Sequence, residues 1–185
     1  IALLKSYGQI KKIIEKLDFE VSYYEKGEYI WNEIYKNSPF IIEFDKNHKQ
    51  PRYKRINVRF ISSGTFELSS DETSLFNKSA QYKTGALIAS KDYSFRLVLK
   101  DSINPSELVN HDWSFKINEI NGLVAEYMGK TNVYVENGPS ILIISTTGTN
   151  KEKEKDYLNQ LTREFLQSNL DKKNEILSNI ITFIE

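Results

Sequence analysis

Between Trp113 and Ser145, short runs of strand-forming residues are punctuated by Asn121-Gly122 and Asn137-Gly138. Such dipeptides accept positive φ and close tight turns, so the stretch is expected to form a β-meander. A three-residue turn ending in Gly122, with Glu119 facing Leu123, pairs Lys116 with Glu126, Phe115 with Tyr127 and Ile117 with Ala125. Val133-Tyr134-Val135 then lead to the second turn, after which Pro139 can open a strand without needing a ladder donor. The run Ile141-Leu142-Ile143-Ile144 has no polar alternation, as a strand covered on both faces would have none.

Period-two patterning extends upstream. Ile56, Val58 and Phe60 fall on one face and Arg55, Asn57 and Arg59 on the other. A three-residue loop at Ser62-Ser63-Gly64, with Gly64 left-handed, opposes Phe60 to Phe66, Arg59 to Glu67 and Val58 to Leu68. A two-residue loop would set Phe60 against Glu67, so side-chain pairing selects the longer one and half neutralises Arg59. Residues 86–90 and 93–100 make a second hairpin around Lys91-Asp92, with Phe95, Leu97 and Leu99 inward and Arg96 and Lys100 outward. Phe19 to Tyr23 and Phe40 to Phe44 read as further strands. Ser69 to Thr73 reads as a polar turn or cap, and Asn104-Pro105-Ser106 as the start of one helical turn.

Helical periodicity appears at both ends. Leu3, Leu4, Tyr7, Ile10, Ile13, Ile14 and Leu17 recur at three- and four-residue steps. A short helix is expected from Glu28, with Ile30/Trp31 and Ile34/Tyr35 four apart and Ser38-Pro39 as its stop. Thr149 or Asn150 caps a helix whose apolar stripe is Tyr157, Leu158, Leu161, Phe165, Leu166 and Leu170. After a break near Asn169 to Asp171, Ile176, Leu177, Ile180, Ile181 and Ile184 form a second stripe. These helices are the expected cover for Ile141 to Ile144. The last stripe alternatively makes a protein or self-association contact, or leads into a part of the protein outside this chain.

The pattern therefore specifies an α+β fold: a largely antiparallel sheet of about seven or eight strands with N- and C-terminal helices packed on it. A β-sandwich is the alternative. At 185 residues one domain is expected over 1–185, divided into 1–44, the meander 45–148 and the helices 149–185. A hydrophobic content of 39% and 12% aromatics suit a packed core rather than disorder.

Composition narrows the chemistry. The formal charge is zero, so there is no overall field toward nucleic acid or anionic membrane. Cysteine is absent, which excludes disulfides and thiolate chemistry. The longest aliphatic runs are four or five residues, far short of the roughly 20 that span a bilayer, and the chain is expected to be soluble. It begins at Ile1, so a signal or anchor can have preceded it and the compartment stays open. With eight glycines spread singly and no phosphate-loop, dinucleotide or nucleophile-elbow motif, no cofactor is implied.

One segment is biased: Lys46 to Arg59 carries six cations and no acid. Lys46, Lys49, Arg52, Lys54 and Arg55, with Tyr53 available to stack on a base, are the candidate nucleic-acid or polyanion-binding residues. For a metal-dependent nuclease or other hydrolase, Glu43, Asp45, His48 and His111 are the available groups. Glu43 and Asp45 share a strand face while Lys46 falls on the other, and no second acidic cluster accompanies them. His111 and Asp112 are adjacent, so in an extended chain they point apart and do not make a mutual pair. With catalytic signatures missing, a non-catalytic interaction domain is the favoured function, ahead of nucleic-acid binding and hydrolysis.

Overall fold

The computed structural model describes residues 3–62, 64–71, 75–76, 80–101, 103–136 and 141–184; the side chains of 105, 106 and 181–184 are not described. Its elements in order are α1 (Tyr7–Lys16), β1 (Val21–Lys26), β2 (Trp31–Glu33), a 3-10 turn (Tyr35–Asn37), β3 (Phe40–Phe44), β4 (Arg55–Ser62), β5 (Thr65–Ser70), β6 (Gln81–Lys83), β7 (Leu87–Ser90), β8 (Tyr93–Leu99), the single turn α2 (Pro105–Leu108), β9 (Trp113–Ile117), α3 (Ile120–Lys130), β10 (Asn132–Val135), β11 (Leu142–Ser145) and α4 (Lys151–Ile184). The fold is α+β. It divides into two compact units: Phe19–Glu119, and Ile1–Asp18 together with Ile120–Glu185.

The strand unit holds two antiparallel sheets. One has the order β2-β1-β9-β4-β5-β6 and the other β3-β8-β7. Alternation places Ile56, Val58 and Phe60 of β4, Phe66 and Leu68 of β5, and Phe115 and Ile117 of β9 in one core with Phe40, Ile42, Ile88, Phe95 and Leu97 of the smaller sheet. Edge-to-face and tilted rings link the sheets, Phe95 to Phe115 at 5.4 Å and Phe40 to Phe60 at 6.0 Å between centroids. Each such ring, fully buried, contributes roughly 1.5–3 kcal/mol of transfer free energy. The β4–β5 hairpin has the expected pairs Val58↔Leu68, Arg59↔Glu67 and Phe60↔Phe66. A register shift between Phe60 and Ser62 precedes the last pair, Ser62↔Thr65, and Ser63 of the expected loop lies outside the described residues. The hairpin at Lys91-Asp92 also forms, with Leu87↔Arg96 through Ser90↔Tyr93 in register.

Several local expectations are overturned. Residues 120–130 form α3 and not the second arm of a hairpin at Asn121-Gly122. Leu123, Val124 and Tyr127 lie at helical spacing and are buried together. Asn121 and Gly122 sit in the first turn, where amides lack intrahelical partners and these residues cost least. The free edge of β9 is instead taken by distant strands, β1 on one side and β4 on the other, so the strand order is not that of one continuous meander.

The helix expected from Glu28 is replaced by β2 and the 3-10 turn. Tyr29 and Ile30 are left 87% and 67% exposed, so no apolar face is buried to sustain a helix, and Tyr35 adopts φ +47. β2 gains ladder pairing instead, Tyr24↔Glu33 to Lys26↔Trp31.

In the helical unit, α1 is capped by Ser6, whose hydroxyl accepts from the Gln9 amide, and buries Ile10, Ile13 and Ile14. It packs against α3 and α4. Asn150 caps α4, its side-chain oxygen accepting from the Lys153 amide at 3.0 Å. No break occurs near Asn169: α4 runs unbroken to Ile184. The segment contains neither Gly nor Pro, and the Gln167 side chain donates to Asp171 at 2.8 Å one turn on. Ile141 is 48% exposed and Leu142, Ile143 and Ile144 only half-buried, because β11 pairs with β10 alone in a two-stranded ribbon. The turn expected at Asn137-Gly138, with Pro139, and the polar residues Glu72 and Thr73 lie outside the described residues.

Candidate functional site

The basic segment is bound into the strand unit largely by acids and carbonyls. Lys46 pairs with the buried Glu20, and Arg52 donates to the Asn118 carbonyl at 2.5 Å with Glu20 also 3.8 Å away. Lys49 bonds Asp92 at 2.5 Å, and that hydrogen bond is the main reason the Asp92 carboxyl lies below its ordinary range. Gln50 pins the loop from within, donating to the Asp45 and Ser94 carbonyls at 3.0 and 2.9 Å. Tyr53, at φ +64, projects its ring 53% exposed and donates its hydroxyl to Glu119 at 3.2 Å. The charge of Lys46, Lys49 and Arg52, which looks free in sequence, is neutralised in space because Glu20 and Asp92 arrive from distant segments.

Arg55 is held differently. Its guanidinium carbon lies 5.0 Å from the centre of the Tyr24 ring and 5.3 Å from that of Trp31, so two aromatic faces flank it. On the neighbouring strand Lys116, its partner in register, sits 5.8 Å over Tyr53. These groups lie on the outer face of the six-stranded sheet, opposite the core. Tyr53, Lys54, Arg55, Ser70, Asp71 and Lys116 line an open cavity of about 300 Å³ there. Of the six candidates from the sequence, Tyr53, Lys54 and Arg55 thus meet at one place, while Lys46, Lys49 and Arg52 are engaged elsewhere. Lys116, Tyr24 and Trp31 are the participants sequence reasoning missed. Strand alternation marks Lys116 as outward-facing, but nothing local names β4 as its neighbour. Arg59 stands opposite Glu67 as expected, yet no ion pair closes between them.

The acids and histidines considered for hydrolysis are dispersed. Glu43 stands opposite Arg96 on β3, Asp45 accepts from the Asn47 amide at 2.8 Å, and the His48 ring contacts the Lys49 carbonyl at 2.8 Å. His111 pairs with Glu25 at 2.6 Å, whereas Asp112 faces Lys26 at 3.4 Å. Among the described residues, no three His, Asp or Glu side chains are grouped so as to hold a metal ion. Nor is any described helix long and apolar enough to cross a membrane.

The other distinctive surface is on α4. Within the helical unit its first half buries Tyr157 and Leu161 fully. Glu164 extends this row, its side chain 8% exposed, and takes ion pairs from Lys12 at 2.6 Å and Lys16 at 2.5 Å. Tyr157 packs its ring, tilted, against Tyr127 at 4.4 Å between centroids and shares a 2.8 Å hydrogen bond with Thr131. A second apolar row begins at Leu166 and continues through Leu170, Leu177 and Ile180, each about half exposed. At about 100° per residue this row starts on the side of the helix opposite the first. The single stripe expected over 157–170 is therefore two. Ile176, beside the second row, is 59% exposed, while the side chains of Ile181 and Ile184 lie outside those described.

No protein-family model and no curated protein matches the chain. Among solved structures it is similar to Xanthomonas campestris FlgL in two crystal forms. One comparison has 11% identity and a TM-score of 0.28, covering 77% of this chain and 40% of that one. The other has 13% identity and a TM-score of 0.31, covering 89% and 53%. The chain thus spans about half of that protein's length or less, and the likeness is too slight to bear on fold or function.

Proposed function

We propose that this chain is a non-catalytic interaction domain that associates with a second copy of itself through the C-terminal half of α4. The observation that supports this reading is the second apolar row. Leu166, Leu170, Leu177 and Ile180 are 55%, 55%, 57% and 49% exposed, on a helical stretch where every residue from 171 to 180 is exposed. Their spacing, with Lys173 between, alternates four- and three-residue steps, the seven-residue repeat by which like helices pair. A single polar residue in such a seam fixes register at some cost in stability, which gives Lys173 a role. Zero formal charge means that copies do not repel one another at long range.

Sedimentation velocity of the whole chain over a concentration series tests the reading. Wild type is expected to associate as concentration rises, and the double substitution Leu177→Asp with Ile180→Asp to sediment as a monomer of unchanged helix content. A wild-type chain that stays monomeric at every concentration, or a double variant that associates as strongly, contradicts it.

A further inference from the structure

Arg55 and Lys116 are directly opposite in the β4–β9 register, side by side on one face of the sheet. Like charges so placed destabilise a sheet unless something neutralises them. Among the described residues neither has a carboxylate within ion-pair distance, and the Arg55 Nε is buried without a hydrogen-bond partner. This contrasts with Lys46, Lys49 and Arg52 a few residues away, each matched to an acid. Both groups are also kept in place: Tyr24 and Trp31 flank the guanidinium, and Tyr53 lies beneath the ammonium. They border the same open cavity, which Tyr53, Lys54, Ser70 and Asp71 also line.

We propose that this cavity is a binding site for a phosphate-type oxyanion, held between the Arg55 guanidinium and the Lys116 ammonium, with Tyr53 at its rim. A tetrahedral anion supplies the negative charge that the opposed pair lacks. Guanidinium is suited to such an anion because its donors form a planar fork, while Lys116 adds a compact charge from the side. The exposed Tyr53 ring beside the anion gives a surface on which a base or other flat group attached to the phosphate can stack. The site lies wholly within residues 19–119 and is independent of the association proposed for α4.

The test is titration of the whole chain with inorganic phosphate at low salt, followed by amide chemical shifts and by melting temperature, in wild type, Lys116→Gln, Arg55→Gln and Lys49→Gln. Phosphate is expected to shift amides near residues 53–55 and 114–116 and to raise the wild-type melting temperature. Each of Lys116→Gln and Arg55→Gln should weaken binding about tenfold or more, the loss of one charge-assisted contact, while Lys49→Gln leaves it unchanged. Lys116→Gln also relieves the like-charge opposition, so without phosphate its melting temperature should not fall, which separates lost binding from lost folding. A parallel titration with a short single-stranded thymidine oligonucleotide distinguishes the source. Binding that needs Lys116 and is displaced by inorganic phosphate assigns the anion to a nucleic-acid backbone, and binding of inorganic phosphate alone assigns it to a small ligand. Absence of any phosphate effect on wild type, or binding retained in Lys116→Gln, overturns the proposal.

Discussion

The two halves of α4 belong to one unbroken helix and differ in what they do with apolar side chains. In the first half Tyr157 and Leu161 are fully buried against the other helices of their unit, and the row they form ends at Glu164, whose carboxylate draws in Lys12 and Lys16. In the second half Leu166, Leu170, Leu177 and Ile180 lie about half exposed on a row that starts on the opposite side. Burial in the first row stabilises the unit itself. The second row can contribute comparable free energy only when another surface covers it. Apolar residues recur at helical spacing in both halves, so it is packing that separates structural apolar residues from those available to a partner.

The sharpest way to break this distinction is to shorten one side chain in each row. Leu161→Ala removes a fully buried side chain and is expected to cost about 2–5 kcal/mol in chemical denaturation. Leu177→Ala, measured at a concentration where the chain is monomeric, should stay within about 0.5 kcal/mol of wild type. Similar losses at both positions would mean that the second row is already packed in the monomer.

A smaller effect is expected at Tyr157. Replacing it with Phe keeps the ring packed against Tyr127 but removes the hydroxyl that meets Thr131 at 2.8 Å. Thr131 retains its bond to the Tyr127 carbonyl at 2.6 Å, so the loss should be near 1 kcal/mol.

The contribution of Glu164 is read from the pH dependence of stability. Hydrogen bonds from Lys12 and Lys16 hold its carboxyl down to about 2, from an ordinary value of 4.5. Because the folded value is the lower one, the stabilisation is complete above the ordinary value and is lost as pH falls through about 2. Stability measured from pH 5 down to pH 2 should therefore fall less steeply in Glu164→Gln than in wild type. Parallel curves would show that the two lysines do not stabilise the folded charge.

What could be read from sequence followed the range of the interaction. The β4–β5 hairpin was legible to the residue pair because its partners are joined by a short loop and a one-residue slip would have set Phe60 against Glu67. Residues 120–130 misled because Asn-Gly marks a turn only when strands flank it, and the burial of Leu123, Val124 and Tyr127 decided for a helix. The cation-aromatic cavity was half legible. Arg55 and Tyr53 stood out in the basic run, but Lys116 reaches them only because β9 inserts beside β4, a choice no local pattern records. Neutralisation of Lys46 by Glu20 was hidden for the same reason. On α4 the apolar positions were all visible. Their division into two rows was not, because an unbroken helix carries its periodic pattern straight through a point where the sequence suggested a break.

The chain contains no cysteine, so a single introduced thiol reports association directly. Ile180→Cys places the thiol on the exposed row, and Glu175→Cys places it about half a turn away on the other side of the same helix. Under mild oxidation the Ile180→Cys chain is predicted to form disulfide-linked dimers readily and the Glu175→Cys chain to form few. Equal cross-linking at both positions, or none at Ile180→Cys, would contradict self-association through the second half of α4.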